Sequence, residues 1–279
     1  ETLQRSVHRS GEGDLSARVS EQGQDERADL ARQFNAAAAR IEALVKTHKS
    51  LLANASHELR SPLTRIRMGL ELMGGNQPSP AFREEILRNI AELDQLVDEI
   101  LLASRLDARE ADVGTVELVD LIGLAAEECA RVDAELDVTA VPEGLEVRGV
   151  AKLLRRALRN LLENARRYSQ GDITVVLQRH DGQAQLSVLD RGPGVPPALR
   201  ERIFEPFYRL PGASERAGGV GLGLALVRSI AQRHNGSVRC EDQPDGSGGA
   251  CFVLRLPLHS PPGTAAPAPA PQRKGTEAK

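Results

Sequence analysis

The sequence predicts a multidomain chain: an all-α helical hairpin that pairs with a second copy into a four-helix bundle, followed by an α/β two-layer sandwich domain. Three observations carry this reading. Apolar residues step by three and four from about residue 25 to 73, a Gly/Pro cluster then breaks the rhythm before a second such run, and beyond Asp107 the pattern shortens into helical stretches mixed with alternating segments.

In the first run, Leu30, Phe34, Ala37, Ile41 and Leu44 lead into Leu52, Leu59, Leu63, Ile66, Leu70 and Met73, which predicts one nearly continuous helix. Gly74, Gly75, Asn76, Pro78 and Pro80 end it. A second helix is expected from about Ala81 to Leu106, with Phe82, Ile86, Ile90, Leu93, Val97 and Ile100 on one face. So narrow a hairpin cannot enclose both apolar stripes, and pairing with another copy resolves the burial problem. Homodimerisation is the expectation.

Downstream, helices are expected near 118–134 and 150–168, strands at Ile173 to Arg179 and Gln185 to Leu189, and a helix from Gly221 to about His234. Strands at Ser237 to Glu241 and Ala250 to Leu256 complete the domain. The boundaries read as 1–46, 47–112, 113–258 and a Pro/Ala-rich tail over 259–279. That tail cannot bury enough apolar area to offset its ordering entropy and is expected to be disordered.

Composition narrows the function classes. The 279 residues are 41% hydrophobic and 27% charged, ordinary for a globular protein. A net charge of -3 with dispersed Lys and Arg gives no basic stripe, so nucleic acid is not an expected partner. Cys129, Cys240 and Cys251 lack metal-ligand spacing and read as buried filler in a reducing compartment. No apolar run approaches the roughly 18 residues that a membrane span needs, so a soluble piece is expected.

His57 falls on the flank of the first helix, beside Glu58, which can take the imidazole proton if the ring attacks phosphorus. Pro62 can loosen the helix one turn on. Asn160 and Asn164 lie one helical repeat apart, with Arg167 and Tyr168 extending the stripe, whereas Leu158, Leu161, Leu162 and Ala165 turn towards a core. An Asn164 carbonyl oxygen suits one place around Mg2+, and Arg167 can neutralise phosphate charge. Asp190-Arg191-Gly192-Pro193-Gly194 puts a carboxylate at a strand end with two glycines at a tight turn. Gly219-Val220-Gly221-Leu222-Gly223-Leu224 opens a helix whose free amides can receive phosphate oxygens. This run is neither a Walker A loop, since no Gly-Lys-Ser/Thr follows, nor a dinucleotide fingerprint, since no strand precedes it.

Taken in order, these segments resemble a known family. Ala55 to Thr64 closely resembles the H box of sensor histidine kinases, Asp190 to Gly194 their G1 box, Phe204-Glu205-Pro206-Phe207-Tyr208 their F box and Gly219 to Leu224 their G2 box. The resemblance runs from about Gly13 to Leu258 and implies an ATP domain of the Bergerat (GHKL) type. It implies that His57 is phosphorylated, that Glu58 is the general base, that Asp190 meets the adenine amino group, and that ATP with Mg2+ is used. Ser61 stands where the family carries Thr or Asn that positions a hydrolytic water. It keeps a hydroxyl but lacks the methyl group that limits rotamers. Arg216, in the lid over 210–218, is expected to reach the γ-phosphate.

Gly13 to Val19, Asp25, Glu26, Leu30, Phe34 and Asn35 resemble the second half of a HAMP linker. The resemblance therefore implies the cytoplasmic portion of a bacterial inner-membrane sensor, attached through N-terminal spans outside this sequence. It also implies a response regulator as partner, with Arg65, Arg67 and Met68 as contact candidates. The rival readings are a GHKL-type ATPase without a phosphoacceptor and a nucleotide-binding signalling scaffold. His57-Glu58 argues against the first, and the intact Asn160, Asn164 and Asp190 against the second.

Overall fold

A computed structural model of the protein describes residues 8–9, 14, 16–21, 26–72, 79–107, 113–141, 143–169, 171–211, 219–246 and 248–259. The expectations for Gly13, Leu15, Asp25, the breaker cluster before Ser79, Arg216 with most of its lid, and the tail beyond His259 lie outside these residues. Helix α1 spans Glu26–Leu72, about 70 Å at the usual rise per residue, and runs unbroken through Pro62. Helix α2, Pro80–Asp107, packs back against it.

Which residues this hairpin buries follows from the need to share two stripes. Leu51, Ala55, Pro62 and Gly69 are buried on α1, and Leu96, Ala103 and Leu106 on α2. Gly69 allows close approach, because a Cβ there would stand 2.6 Å from the Phe82 ring. The expected seam residues Leu63 and Leu70 are instead 54% and 51% exposed, and so continue an outer apolar stripe with Leu52. Leu87, Ile90, Val97 and Leu101 form its counterpart on α2.

Before α1, the Asn35 side chain pairs with both backbone groups of Val19, accepting from its N–H at 2.9 Å and donating to its C=O at 2.8 Å. The short extended segment is thereby stitched to the helix, and Arg18 adds an ion pair with Glu42 at 2.6 Å.

The α/β domain contains β1 (Glu117–Asp120), α3 (Leu121–Val132), β2 (Glu135–Asp137), β3 (Glu146–Gly149), α4 (Ala151–Tyr168), β4 (Thr174–His180), β5 (Gln183–Leu189), α5 (Gly223–Arg233), β6 (Ser237–Asp242) and β7 (Ala250–Pro257). The main sheet has the order β2-β4-β5-β7-β6, parallel only between β2 and β4. Its inner face carries Val175, Leu177, Ala184, Leu186, Val188, Phe252, Leu254 and Leu256. Leu153, Leu158, Leu161 and Leu162 of α4 and Leu226 and Ile230 of α5 join the same core. The outer face holds Gln185, which accepts from Arg255 Nε at 3.0 Å.

Two boundaries differ from expectation. Residues 118–120 are strand rather than helix, because β1 pairs antiparallel with β3, and Asp120 then caps α3 by accepting from the N–H groups of Ile122 and Gly123. The helix after the glycine run starts at Gly223, since Gly219 and Gly221 have φ of +87° and +81°. All three cysteines are free and buried, and burial pushes their thiols up to about 11 for Cys129, 12 for Cys240 and 11 for Cys251.

Candidate active site

A cavity of about 520 Å³ lies between α4, α5 and α2. Its α4 wall is the polar stripe of Asn160, Glu163, Asn164, Arg167 and Tyr168, and Asp190, Gly194, Gly219, Gly221, Gly223 and Leu224 complete that side. The stripe faces a pocket because the opposite face of α4, Leu158, Leu161, Leu162 and Ala165, is committed to the core.

Asn160 is buried, and its Nδ2 donates to Gly223 C=O at 3.1 Å, tying α4 to the start of α5. Leu222 precedes α5 with no side-chain cap, so the first amides of that helix are left for a ligand. Asp190 is also buried. Its Oδ1 accepts from Gly192 N–H at 2.8 Å and Ala250 N–H at 3.2 Å, leaving Oδ2 for a ligand donor. Burial raises its pKa, while the two backbone donors oppose that shift.

Gly192, Phe204, Phe207 and Leu222 stand behind the lining. A Cβ on Gly192 would lie 2.7 Å from Tyr168 C=O. Phe204 is buried edge-on against Phe252 with ring centroids 6.4 Å apart. Phe207 takes φ +64° and donates its N–H to Gly221 C=O at 2.9 Å, which holds the glycine loop in place. Val195, Ile203 and Phe252 add apolar lining that the motifs do not flag.

The wall contributed by α2 consists of Arg88, Ala91, Glu92, Gln95, Leu96 and Glu99. Their spacing of three and four puts them on one helical face, and the only signal for their role is docking against a domain distant in sequence. Arg65 on α1 reaches the same wall, with Nη2 donating to Glu92 at 2.7 Å, Nε to Asn89 at 2.6 Å and Nη1 to Ser61 Oγ at 2.9 Å. His57 is exposed on α1, two turns before Arg65, beside the half-buried Glu58.

Three family models match: a HAMP domain over residues 1–43, a His Kinase A (phospho-acceptor) domain over 47–109, and a histidine kinase-, DNA gyrase B- and HSP90-like ATPase over 149–260. The chain carries the domain series of a two-component sensor histidine kinase. Among curated relatives of this kinase type, it is 36% identical over 264 residues to the sensor protein RstB of Escherichia coli K12, a match covering 92% of the chain and 59% of RstB. It is 36% identical over 232 residues to the sensor histidine kinase CpxA of E. coli K12, covering 81% of the chain and 50% of CpxA. The chain thus spans about half or slightly more of these relatives.

Histidine kinase AdeS of Acinetobacter baumannii shares the fold at TM-score 0.60 and 22% identity, over 73% of this chain and 98% of that one. Histidine kinase ThkA, in complex with response regulator TrrA, does so at TM-score 0.61 and 24% identity, over 79% of this chain and 64% of that one. The shared fold is a helical N-terminal region followed by a mixed α/β domain. Among the described residues, no helix is long and apolar enough to cross a membrane.

Proposed function

We propose that the protein is an ATP-dependent histidine kinase that phosphorylates His57 and passes the phosphoryl group to an aspartate of a response regulator. The observation that carries this reading is the cavity that unites Asn160, Asn164, Arg167 and Asp190 with the glycine loop on the flank of the helical hairpin that bears His57. An adenine fits the Asp190 end, where one buried carboxylate oxygen remains for the exocyclic amine. The triphosphate fits the Asn164, Arg167 and α5 end, where an uncapped helix start and a guanidinium supply positive potential.

Mg2+ carried with the nucleotide would neutralise phosphate charge, with Asn164 as its protein ligand. The chain's own residues do the rest. Arg167 orients phosphate, the glycine loop admits it without side-chain obstruction, His57 supplies the attacking nitrogen and Glu58 accepts its proton. Ser61 is the candidate for positioning water during removal of phosphate from the regulator.

The exposed stripes Leu52, Leu63 and Leu70 on α1 and Leu87, Ile90, Val97 and Leu101 on α2 support a homodimeric four-helix bundle. The HAMP region supports attachment to a membrane sensor, with this portion on the cytoplasmic side. Incubation with Mg2+ and γ-labelled ATP tests the central claim. Acid-labile, alkali-stable label is expected on the wild type and absent from His57→Gln, and loss of metal-dependent label is expected in Asn164→Ala. Equal label on His57→Gln would sink the assignment.

A further inference from the structure

Ser56, Ser61 and Thr64 share one stretch of α1, but their hydroxyls have different partners. Ser56 Oγ donates to Leu52 C=O at 2.8 Å and Thr64 Oγ1 to Arg60 C=O at 2.8 Å, the usual back-bond of a helical hydroxyl. Ser61 makes no such bond among the described residues. Its Oγ instead accepts from Arg65 Nη1 at 2.9 Å, one turn further on. The guanidinium is held at its other two nitrogens by α2, at Nε by the buried Asn89 and at Nη2 by Glu92. Three nitrogens with three partners leave it one orientation, which a Lys ammonium could not reproduce. The position of α2 thereby sets where the Ser61 hydroxyl points. His57, Ser61 and Arg65 are spaced by four, so this hydroxyl lies on the face that carries His57.

We propose that Arg65 is a positioning residue for dephosphorylation of the regulator, fixing Ser61 Oγ to hold the water that attacks the aspartyl phosphate. This rests on the water-positioning role of Ser61 proposed above. A guanidinium only donates, so Arg65 occupies one Oγ lone pair and leaves the second to accept from a water. The water oxygen bonds to phosphorus, and the bond from phosphorus to the aspartate oxygen breaks with its electron pair going to the carboxylate. Both water protons leave on inorganic phosphate. A serine without this brace would be divided among rotamers and would back-bond to His57 C=O, as its neighbours do to theirs. Arg65 removes that alternative in a residue that lacks the threonine methyl group.

The test uses the whole chain and the response regulator of its source genome that takes label fastest from it after incubation with γ-labelled ATP. That regulator is phosphorylated with acetyl phosphate, and phosphate release is followed on adding wild type, Arg65→Ala, Ser61→Thr or the double variant. Arg65→Ala should lower kcat about tenfold, a modest share of what misplacing a catalytic group can cost, with KM within about twofold of wild type. Arg65→Lys, which keeps the cation but not the three-way fork, should lose about as much and guards against a folding defect in the alanine variant. On the Ser61→Thr background, where the methyl group limits rotamers unaided, Arg65→Ala should cost less than about threefold. An unchanged rate, an equal loss with and without Ser61→Thr, or a loss in KM alone, as for a simple regulator contact, overturns the inference. Ser61→Ala checks the underlying reading separately. It should slow release at least as much as Arg65→Ala, and full activity there would remove Ser61 as the group that holds water. Absence of label on every regulator would overturn the kinase reading itself.

Discussion

Arg65 Nε donates to Asn89 Oδ1 at 2.6 Å, joining α1 to a buried amide on α2. Asn89 is held in turn, its Nδ2 donating to Glu85 C=O at 2.8 Å. The guanidinium is therefore oriented from two sides when it reaches Ser61 Oγ, and it restrains a hydroxyl that lacks the methyl group of Thr. A residue expected only as a partner contact is a brace within the hairpin.

Asn89→Ala should accordingly lower hairpin stability by about 1–3 kcal/mol, the cost of breaking a buried charge-assisted hydrogen bond. Denaturant midpoints of the whole chain measure this. A midpoint equal to wild type would show that Arg65 finds an equivalent acceptor.

Gly69→Val should be more damaging than its location on a long surface helix suggests. The new side chain meets the Phe82 ring, so overpacking of about 1–3 kcal/mol adds to the loss of close helix approach. Phe82→Ala combined with Gly69→Val should recover part of that loss. Simple additivity of the two substitutions would rule out the contact as the cause.

Glu128 is 1% exposed and pairs with Arg159 through both carboxylate oxygens at 2.9 Å, with Arg155 at 3.2 Å from Oε1. The Arg159 hydrogen bonds chiefly lower its pKa, and Arg155 adds to this against the desolvation of burial. A lowered folded-state value means that the stabilisation is present above the ordinary glutamate range and is lost as pH falls through the folded value. Glu128→Gln should cost about 2 kcal/mol at pH 7, less than for a fully buried pair because both arginines are partly exposed. Urea melts at pH 7 and pH 3.5 should show this difference shrinking with acid.

His234 gives the opposite helix junction a different pH signature. Its Nδ1 meets Ile230 C=O at 2.7 Å and its Nε2 meets Val150 N–H at 3.0 Å. A carbonyl only accepts and an amide only donates, so the ring is neutral with its proton on Nδ1. Burial lowers its pKa from 6.5, with Arg233 contributing in the same direction and the Ile230 hydrogen bond opposing. The linked stability is full above about pH 6.5 and is lost as pH falls towards the folded value. Wild type should therefore weaken between pH 7.5 and pH 5.5 more than His234→Gln, whose amide can still accept from Val150. Parallel losses in both proteins would count against this junction as the source.

The two hairpin helices were legible because their apolar periodicity persists over many turns, and the grouping of residues that line the cavity because glycines, asparagines and an aspartate recur in a demanding order. Strands β1, β2 and β3 escaped because three or four residues carry too little alternation, and their pairings join distant segments. Leu118 and Val119 fitted a helical rhythm, although Asp120 was the true start signal. The Glu99–Arg156 contact, 2.8 Å between α2 and α4, was invisible for a further reason: each residue reads as an ordinary charge on an exposed helix face until the domains dock.

The β1–β3 ladder also decides how the ATP domain is hung. Strand β3 pairs with β1, where the chain arrives from the hairpin, and Val147 of the same strand bridges to Leu258, after which His259 N–H reaches Glu146 C=O at 3.0 Å. Arrival and departure thus share one edge, as both leaves of a door hinge share one post. The two ends of the domain are therefore tied to each other by a ladder separate from its main five-stranded sheet.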